Sequence, residues 1–478
     1  MIPRIPPPPA ADLDALHAAT LRLLDEVGVR FPVRAAQSAL GDAGAVVNAA
    51  TGVVKIPPDM VERALAAAPA SIVLAGRDPA AGVACGAGEA TLTLDGTGAY
   101  TLDHRTGERR SSTIEDLGDA LRVADATPEV GIVWNIVSAS DVAPDTQVLH
   151  ELWTCLRSTG KHVQGEVQRA EEVPYVMELV AAASDTGAWD PARPIFSIVY
   201  CPVPPLQHEP QMLEAAMRLA AEGVPICVYS MGLTGATAPV ALAGAVAQAN
   251  AEILSSLVLF QLLRPGLPCI YVADTGVLDM RTGAYTAASP EAVLITHAMV
   301  GLARRYGLPV MATGLTCDAN AFTFMSGGDA ALTALPSLLA GPDLLCGAGM
   351  LGGAQMLSLP KILLDAELYR ECRRVLAGMP VDDEHLMLDL VAEVGPGGHF
   401  LGARRTRSHL RAGGLYTPRL MLRESYDAWA QARQDEVSRA AAAVDHILET
   451  HRPRPLPAGA DASAVEVLAA AARDLTAR

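Results

Sequence analysis

Residues 194–230 read PIFSIVYCPVPPLQHEPQMLEAAMRLAAEGVPICVYS. The run from Pro194 to Cys201 is short and almost continuously apolar. A strand with one face in water would alternate, so this pattern belongs to a strand buried on both faces. After a Pro-rich turn, Pro210 to Glu222 carries apolar residues at helical spacing and stops at a glycine. The run from Val224 to Ser230 then repeats the first. Strand, helix and strand in this order predict one βαβ unit with parallel strands and a right-handed crossover.

The rhythm extends in both directions. Apolar runs lie at VGIVWNIVSA near 130, KHVQGEV near 161, LPCIYVA near 267, LPVMAT near 308 and PDLLCGA near 342. Helical stretches at Pro239 to Leu263, Pro290 to Tyr306 and Asp329 to Leu339 separate them. TIEDLGDALRVADA, with Thr113 as its N-cap, precedes the first. The fold class expected is α/β, a (β/α)8 TIM-type barrel with a helical and β N-terminal extension and a helical C-terminal cap. Seven strands are counted, and the eighth is expected from VAEVG near 391 or from the 90s. An open doubly wound sheet is the alternative, although no Gly-rich phosphate loop follows the first strand.

The expected divisions are 1–112 for the extension, 113–357 for the barrel, 358–450 for the cap and 451–478 for a linker and terminal helix. The extension opens on a Pro-rich stretch expected to run as polyproline. It continues with helices at Asp12 to Val29, at Val33 to Ala43 and from Pro57. The cap carries KILLDAELYRECRRVLAG and a long helical segment, Arg423 to Glu449. It is followed by HRPRPLPAGAD and a helix at Ala462 to Ala477, which either packs on a neighbouring subunit of a homo-oligomer or frays.

Composition narrows the partners. With 36 basic against 53 acidic residues the net charge is −17, which suits neither nucleic acid nor an anionic membrane surface. Eight scattered cysteines without CxxC, and a start lacking an apolar signal core, predict reduced thiols and a cytoplasmic protein. His150, His162, His208 and His297 form neither HxH nor HExxH, so no metal site is expected.

Several long phrases occur in a telling order. They are LHAATLRLLDEVGVRF, LAGRDP and TGAYTLDHRTGERRSST early in the chain. CPVPPL (Cys201 to Leu206) and GATAPVALAGAVAQANAEILSSLVLFQLLRPGLPCIY (Gly235 to Tyr271) follow. DMRTG (Asp279 to Gly283), SPEAVL (Ser289 to Leu294) and GPGGHFLG (Gly395 to Gly402) come last. Over about residues 12 to 430 the chain resembles the trimethylamine methyltransferase family, in its branch without pyrrolysine. That resemblance implies a barrel enzyme that moves a methyl group from a quaternary, betaine-like amine to Co(I) of a corrinoid. The corrinoid is presented by a separate protein and not held tightly by this chain. A different methyl donor, or a binding or scaffold protein that has lost turnover, are the alternatives.

A quaternary ammonium leaves as a neutral tertiary amine and needs no proton. The barrel has only to hold the cation with a methyl group aimed in line, using aromatic faces and carboxylates. In such barrels these groups stand at the C-terminal ends of strands. Aromatic residues make up only 4% of the chain, so those at strand ends are the candidates: Trp134, Tyr200, Tyr229 and Tyr271, with Phe324 after the LPVMAT strand. For each, the other reading is a ring packed between barrel and helices. The candidate carboxylates are Glu166, Asp274 and Asp318, with Asp141 at a similar place; as loop residues they also suit helix caps.

The resemblance also marks departures. Where the family carries a polar Asp-x-Gln-x-x-x-Glu pattern after an Asp, this chain has CDANAFTFMSGGDAAL, keeping Asp318; Phe324 and Met325 then form either a more apolar substrate wall or a drifted start of a structural helix. RRTRSHLRAGGLYTPRLMLRES (404–425) also diverges, which would reorganise the cap or the docking surface for the corrinoid protein. His399, within GPGGHFLG, is the candidate catalytic residue, with orientation of the glycine turn as its structural alternative.

Overall fold

The computed structural model describes residues 8–476. Eight parallel strands close a barrel in sequence order: β1 (Thr91–Leu94), β2 (Val130–Trp134), β3 (His162–Gly165), β4 (Phe196–Tyr200), β5 (Ile226–Tyr229), β6 (Cys269–Ala273), β7 (Val310–Thr313) and β8 (Leu344–Ala348). A helix follows each: α1 (Ile114–Asp125), α2 (Gln147–Ser158), α3 (Val173–Ala183), α4 (Pro210–Glu222), α5 (Leu242–Leu263), α6 (Pro290–Arg305), α7 (Phe324–Ala340) and α8 (Leu359–Leu376). All seven strands expected from apolar runs are present, because each is covered by helices outside and by barrel side chains inside.

The eighth strand comes from the 90s. Thr91–Leu94 sits between β8 and β2, with Leu344 opposite Thr91 and Leu92 opposite Val130. The other source is overturned: residues around 391 form the helix Leu388–Val394, of which only Leu390 is buried. An element so exposed has no face to give a barrel wall. The division at 112 therefore cuts β1 away from its barrel, and the division at 357 cuts off α8, which packs beside α1 and the last barrel strand. No last strand is donated by the cap.

The N-terminal helices Ala10–Arg22, Arg34–Asp42 and Pro58–Ala67 lie on α5. That covering explains why α5 is apolar nearly all round. It is the one helix among the described residues long and apolar enough to cross a membrane, yet 83% of its apolar window is buried inside this chain. The first helix ends as expected at Gly28, whose φ of 83° suits a residue without Cβ. Most of the expected polyproline opening, residues 1–7, lies outside the described residues.

Two corrections concern the C-terminal part. The segment Arg423 to Glu449 is not one helix but two, Tyr426–Ala432 and Glu436–Thr450. The terminal helix, Ala460–Thr476, is not a free tail: it packs on α3 of its own chain, where the Tyr175 hydroxyl donates to Asp474 at 2.6 Å.

Loops at the C-terminal ends of the strands build two small sheets around the barrel mouth. One joins Tyr100–Leu102, Arg109–Ser111, Met350–Leu351 and Met356–Leu357 from the loops after β1 and β8. The other joins Leu233–Thr234, Gly276–Leu278 and Tyr285–Thr286 from the loops after β5 and β6. The DMRTG phrase is the exposed turn of the second sheet, closed by the Gly283 N–H on the Asp279 carbonyl at 2.7 Å.

Candidate functional site

A cavity of about 440 Å³ opens at the C-terminal end of the barrel. Its buried walls are Asp95, Trp134, Tyr229, Asp274 and Thr313, and its outer part includes Glu166, Met231, Tyr285 and Gln355. Four of the residues expected from sequence thus meet here: Trp134, Glu166, Tyr229 and Asp274. Each stands at or just past the end of its strand, where the period of two turns its side chain inward. Tyr229 lies opposite Val272 between β5 and β6, so Asp274, two residues beyond Val272, faces the same way. The Tyr229 hydroxyl donates to Asp274 Oδ2 at 2.5 Å.

The same period turns two expected residues outward. Val228 lies opposite both Tyr200 and Tyr271 in the neighbouring strands, and all three face the helices. The Tyr200 hydroxyl hydrogen-bonds His208 Nδ1 at 2.6 Å, and the Tyr271 hydroxyl donates to Asn250 Oδ1 of α5 at 3.0 Å. Both rings are packing residues between barrel and helix layer. Asp318 stands behind the wall and accepts the Ala287 and Ala288 N–H groups at 2.9 and 3.2 Å, which pins the loop after β6.

The apolar wall expected from Phe324 and Met325 is not part of this cavity. Phe324 is the first residue of α7 and is 98% exposed, and Met325 is 50% exposed. Phe324 borders a separate cleft with Phe322, Leu368 and Met421, and Met325 is surface-exposed. His399 is on an exposed loop after the helix Leu388–Val394 and does not line the cavity. His162 and His208 are structural: His162 bonds the Ala75 carbonyl and Ser197, and burial holds it down at about 4. Among the described residues no cluster of three or more metal-ligating groups is present.

The cavity adds residues that the sequence did not single out. Asp95 follows β1 directly, so it became visible as a site residue only with the eighth strand; a strand ending in Thr-Leu-Asp-Gly was its one signal. Tyr285 reaches the cavity from the hairpin after β6, which no strand rhythm indicates. Gly96 leaves room for the Trp134 ring: a Cβ there would lie 3.0 Å from two of its carbons, a tight contact that would press on the ring.

Electrostatically the site is one-sided. Burial raises the carboxyls of Asp95, Glu166 and Asp274 above their ordinary values. Asp95 reaches about 7, with like charge from Asp274 adding to the rise and the Gly96 N–H opposing it. Tyr229 and Thr313 pull Asp274 partly back. None of the three has an ion-pair partner among the described residues. The nearby Lys361 is committed to Asp365, 2.7 Å from each carboxylate oxygen. Buried carboxylates facing an aromatic-lined cavity without a counter-charge form a receptor for a cation.

Comparison with known proteins agrees with this architecture. The family description for trimethylamine methyltransferase (MTTB) matches residues 1–472. The trimethylamine methyltransferase MttB of Desulfitobacterium hafniense (strain DSM 10664 / DCB-2) is 32% identical over 447 residues, 93% of this chain and 90% of that protein. The glycine betaine methyltransferase of Desulfitobacterium hafniense (strain Y51) is 28% identical over 450 residues, 94% of this chain and 93% of that protein. Among solved structures, the monomethylamine methyltransferase MtmB of Methanosarcina barkeri shares the fold, with a TM-score of 0.53 at 14% identity over 97% of this chain and 86% of that one. The chain belongs to the trimethylamine methyltransferase family.

Proposed function

We propose that this protein transfers a methyl group from a quaternary ammonium compound to Co(I) of a corrinoid carried by a separate protein in the cytoplasm. The observation that carries the reading is the cavity itself: three buried or half-buried carboxylates and the rings of Trp134, Tyr229 and Tyr285 at the mouth of a barrel of this family. It supports the cationic head of the betaine-like substrate expected from sequence. The character of the tail is a separate question.

When presented at the mouth, a reduced corrinoid supplies the nucleophile. The chain's own residues bind, orient and desolvate. Trp134, packed on Gly96, and Tyr229, tied to Asp274, offer ring faces of fixed orientation to the methylammonium group. Asp95, Glu166 and Asp274 balance its charge from several sides. As the N–CH3 bond breaks, the positive charge on nitrogen disappears, so these carboxylates hold the substrate more strongly than the neutral amine product. That difference favours product release. No proton has to be delivered to the leaving nitrogen, which agrees with a cavity whose Tyr229 and Tyr285 hydroxyls are pushed well above their usual range by burial.

The test mixes the full chain with a Co(I) corrinoid and a panel of quaternary ammonium compounds and follows methyl-Co(III) formation by absorbance. The expected result is substrate-dependent methylation with release of the tertiary amine. Tight binding of the cations without methylation of any corrinoid would favour the binding-protein reading. Methylation only by donors other than ammonium compounds would replace the donor assignment.

A further inference from the structure

We infer that the cation bound here carries no carboxylate, and that the site takes a methylated ammonium with a neutral, hydroxyl-type tail. The inference rests on the cation-binding reading above and specifies the other end of the ligand.

A betaine brings a carboxylate into the cavity along with its ammonium. A carboxylate removed from water needs an opposite charge or several free N–H or O–H donors. Among the described residues that line the cavity, none is Lys, Arg or His. Three are acidic: Asp95, Glu166 and Asp274. The carboxylate of a betaine would therefore add like charge to a site already acidic.

Most of the hydroxyl donors are also spent. Tyr229 donates to Asp274 at 2.5 Å. Thr97 donates to the Asn135 carbonyl at 3.1 Å and reaches Glu166 Oε1 at 3.4 Å. Thr313 and Thr316 donate to the carbonyls of Ala273 and Ala287, each at 3.2 Å. Lys361 is 2% exposed and is held by Asp365 and the Leu315 carbonyl. What remains is neutral: the buried Trp134 Nε1–H, which has no hydrogen-bond partner, the Tyr285 hydroxyl, and the Gln355 amide at the exposed end. These neutral groups suit a hydroxyl, which both donates and accepts, and none of them offsets a full negative charge.

The acidic side independently asks for a cation. Asp95 is 7% exposed, and its carboxylate accepts only its neighbour's Gly96 N–H at 2.9 Å and, loosely, the Cys346 thiol at 3.9 Å. Such a buried, under-bonded group faces the cavity and needs a positive partner there.

The experiment measures binding of choline, tetramethylammonium and glycine betaine to the full chain by calorimetry at pH 8, without corrinoid. Choline should bind at least about tenfold more tightly than glycine betaine, the discrimination one uncompensated charge is expected to produce. Glu166→Gln should weaken choline several-fold and narrow that gap. Should the variant not fold, Asp274→Asn makes the same comparison. Glycine betaine binding as tightly as choline would overturn the inference while leaving quaternary ammonium methyl transfer standing. Binding of none of the three would overturn both.

Discussion

Asp95→Asn should stabilise the ligand-free protein while weakening its hold on cations. Burial, helped by the charge of Asp274, holds the Asp95 carboxyl at about 7 instead of 3.8. A group whose pKa is raised on folding contributes stability that is fully present below the unfolded value and is lost as pH rises through the folded one. The free protein should thus lose roughly 4 kcal/mol between pH 3.8 and about 7, the product of this displacement and about 1.4 kcal/mol per unit. Asparagine keeps an acceptor for the Gly96 N–H but never ionises, so the variant should not share that loss. Urea unfolding of both proteins at pH 5 and pH 8 measures it: the advantage of the variant should be larger at pH 8 by roughly 2–3 kcal/mol. Calorimetric titration with tetramethylammonium supplies the opposite sign, since affinity of the parent protein should rise with pH through about 7 and that of the variant should rise less. An advantage that does not change with pH, or a variant less stable at pH 8, would refute an ionisable, cation-seeking Asp95.

Other substitutions separate the roles of neighbouring groups. Lys361→Met leaves Asp365 buried without its cation and should cost about 3–5 kcal/mol, whereas the double variant Lys361→Met/Asp365→Leu should regain much of that in thermal unfolding; no recovery would mean the pair is not the source. Gly347→Ala should yield no folded protein, because its φ is 138° and a Cβ would lie 1.8 Å from the Gly314 carbonyl oxygen; a folded variant by circular dichroism would contradict the β8 geometry. Tyr229→Phe keeps the ring face but removes the bond that lowers the Asp274 carboxyl, so tetramethylammonium affinity should fall at neutral pH and recover as pH rises. A pH-independent change would assign Tyr229 to packing alone. Phe324→Ser should leave cation affinity within about twofold, as expected of an exposed surface position; a larger loss would return that segment to the substrate wall.

Sequence alone determined the barrel, because a strand covered on both faces must be apolar throughout and a covering helix must be apolar at helical spacing. PIFSIVYC and VPICVYS state this locally, and the family phrases from Gly235 to Gly283 place it in a family. It also located four cavity residues, since strand ends in this fold share one mouth. Which aromatic faced that mouth was decided only by tertiary structure. Tyr200, Tyr229 and Tyr271 look alike in sequence, all at or near the ends of apolar runs, but barrel register turns Tyr229 inward and the other two toward the helices. Asp95 stayed hidden because its strand is four residues long and lies in a region of short β-like pieces, and Tyr285 because a hairpin brings it back to the mouth. Phe324, Met325 and His399 show the converse: a departure or a shared phrase in sequence says that a position changed or persisted, not which way its side chain points. Direction depends on closure of the barrel, which no local run of residues contains.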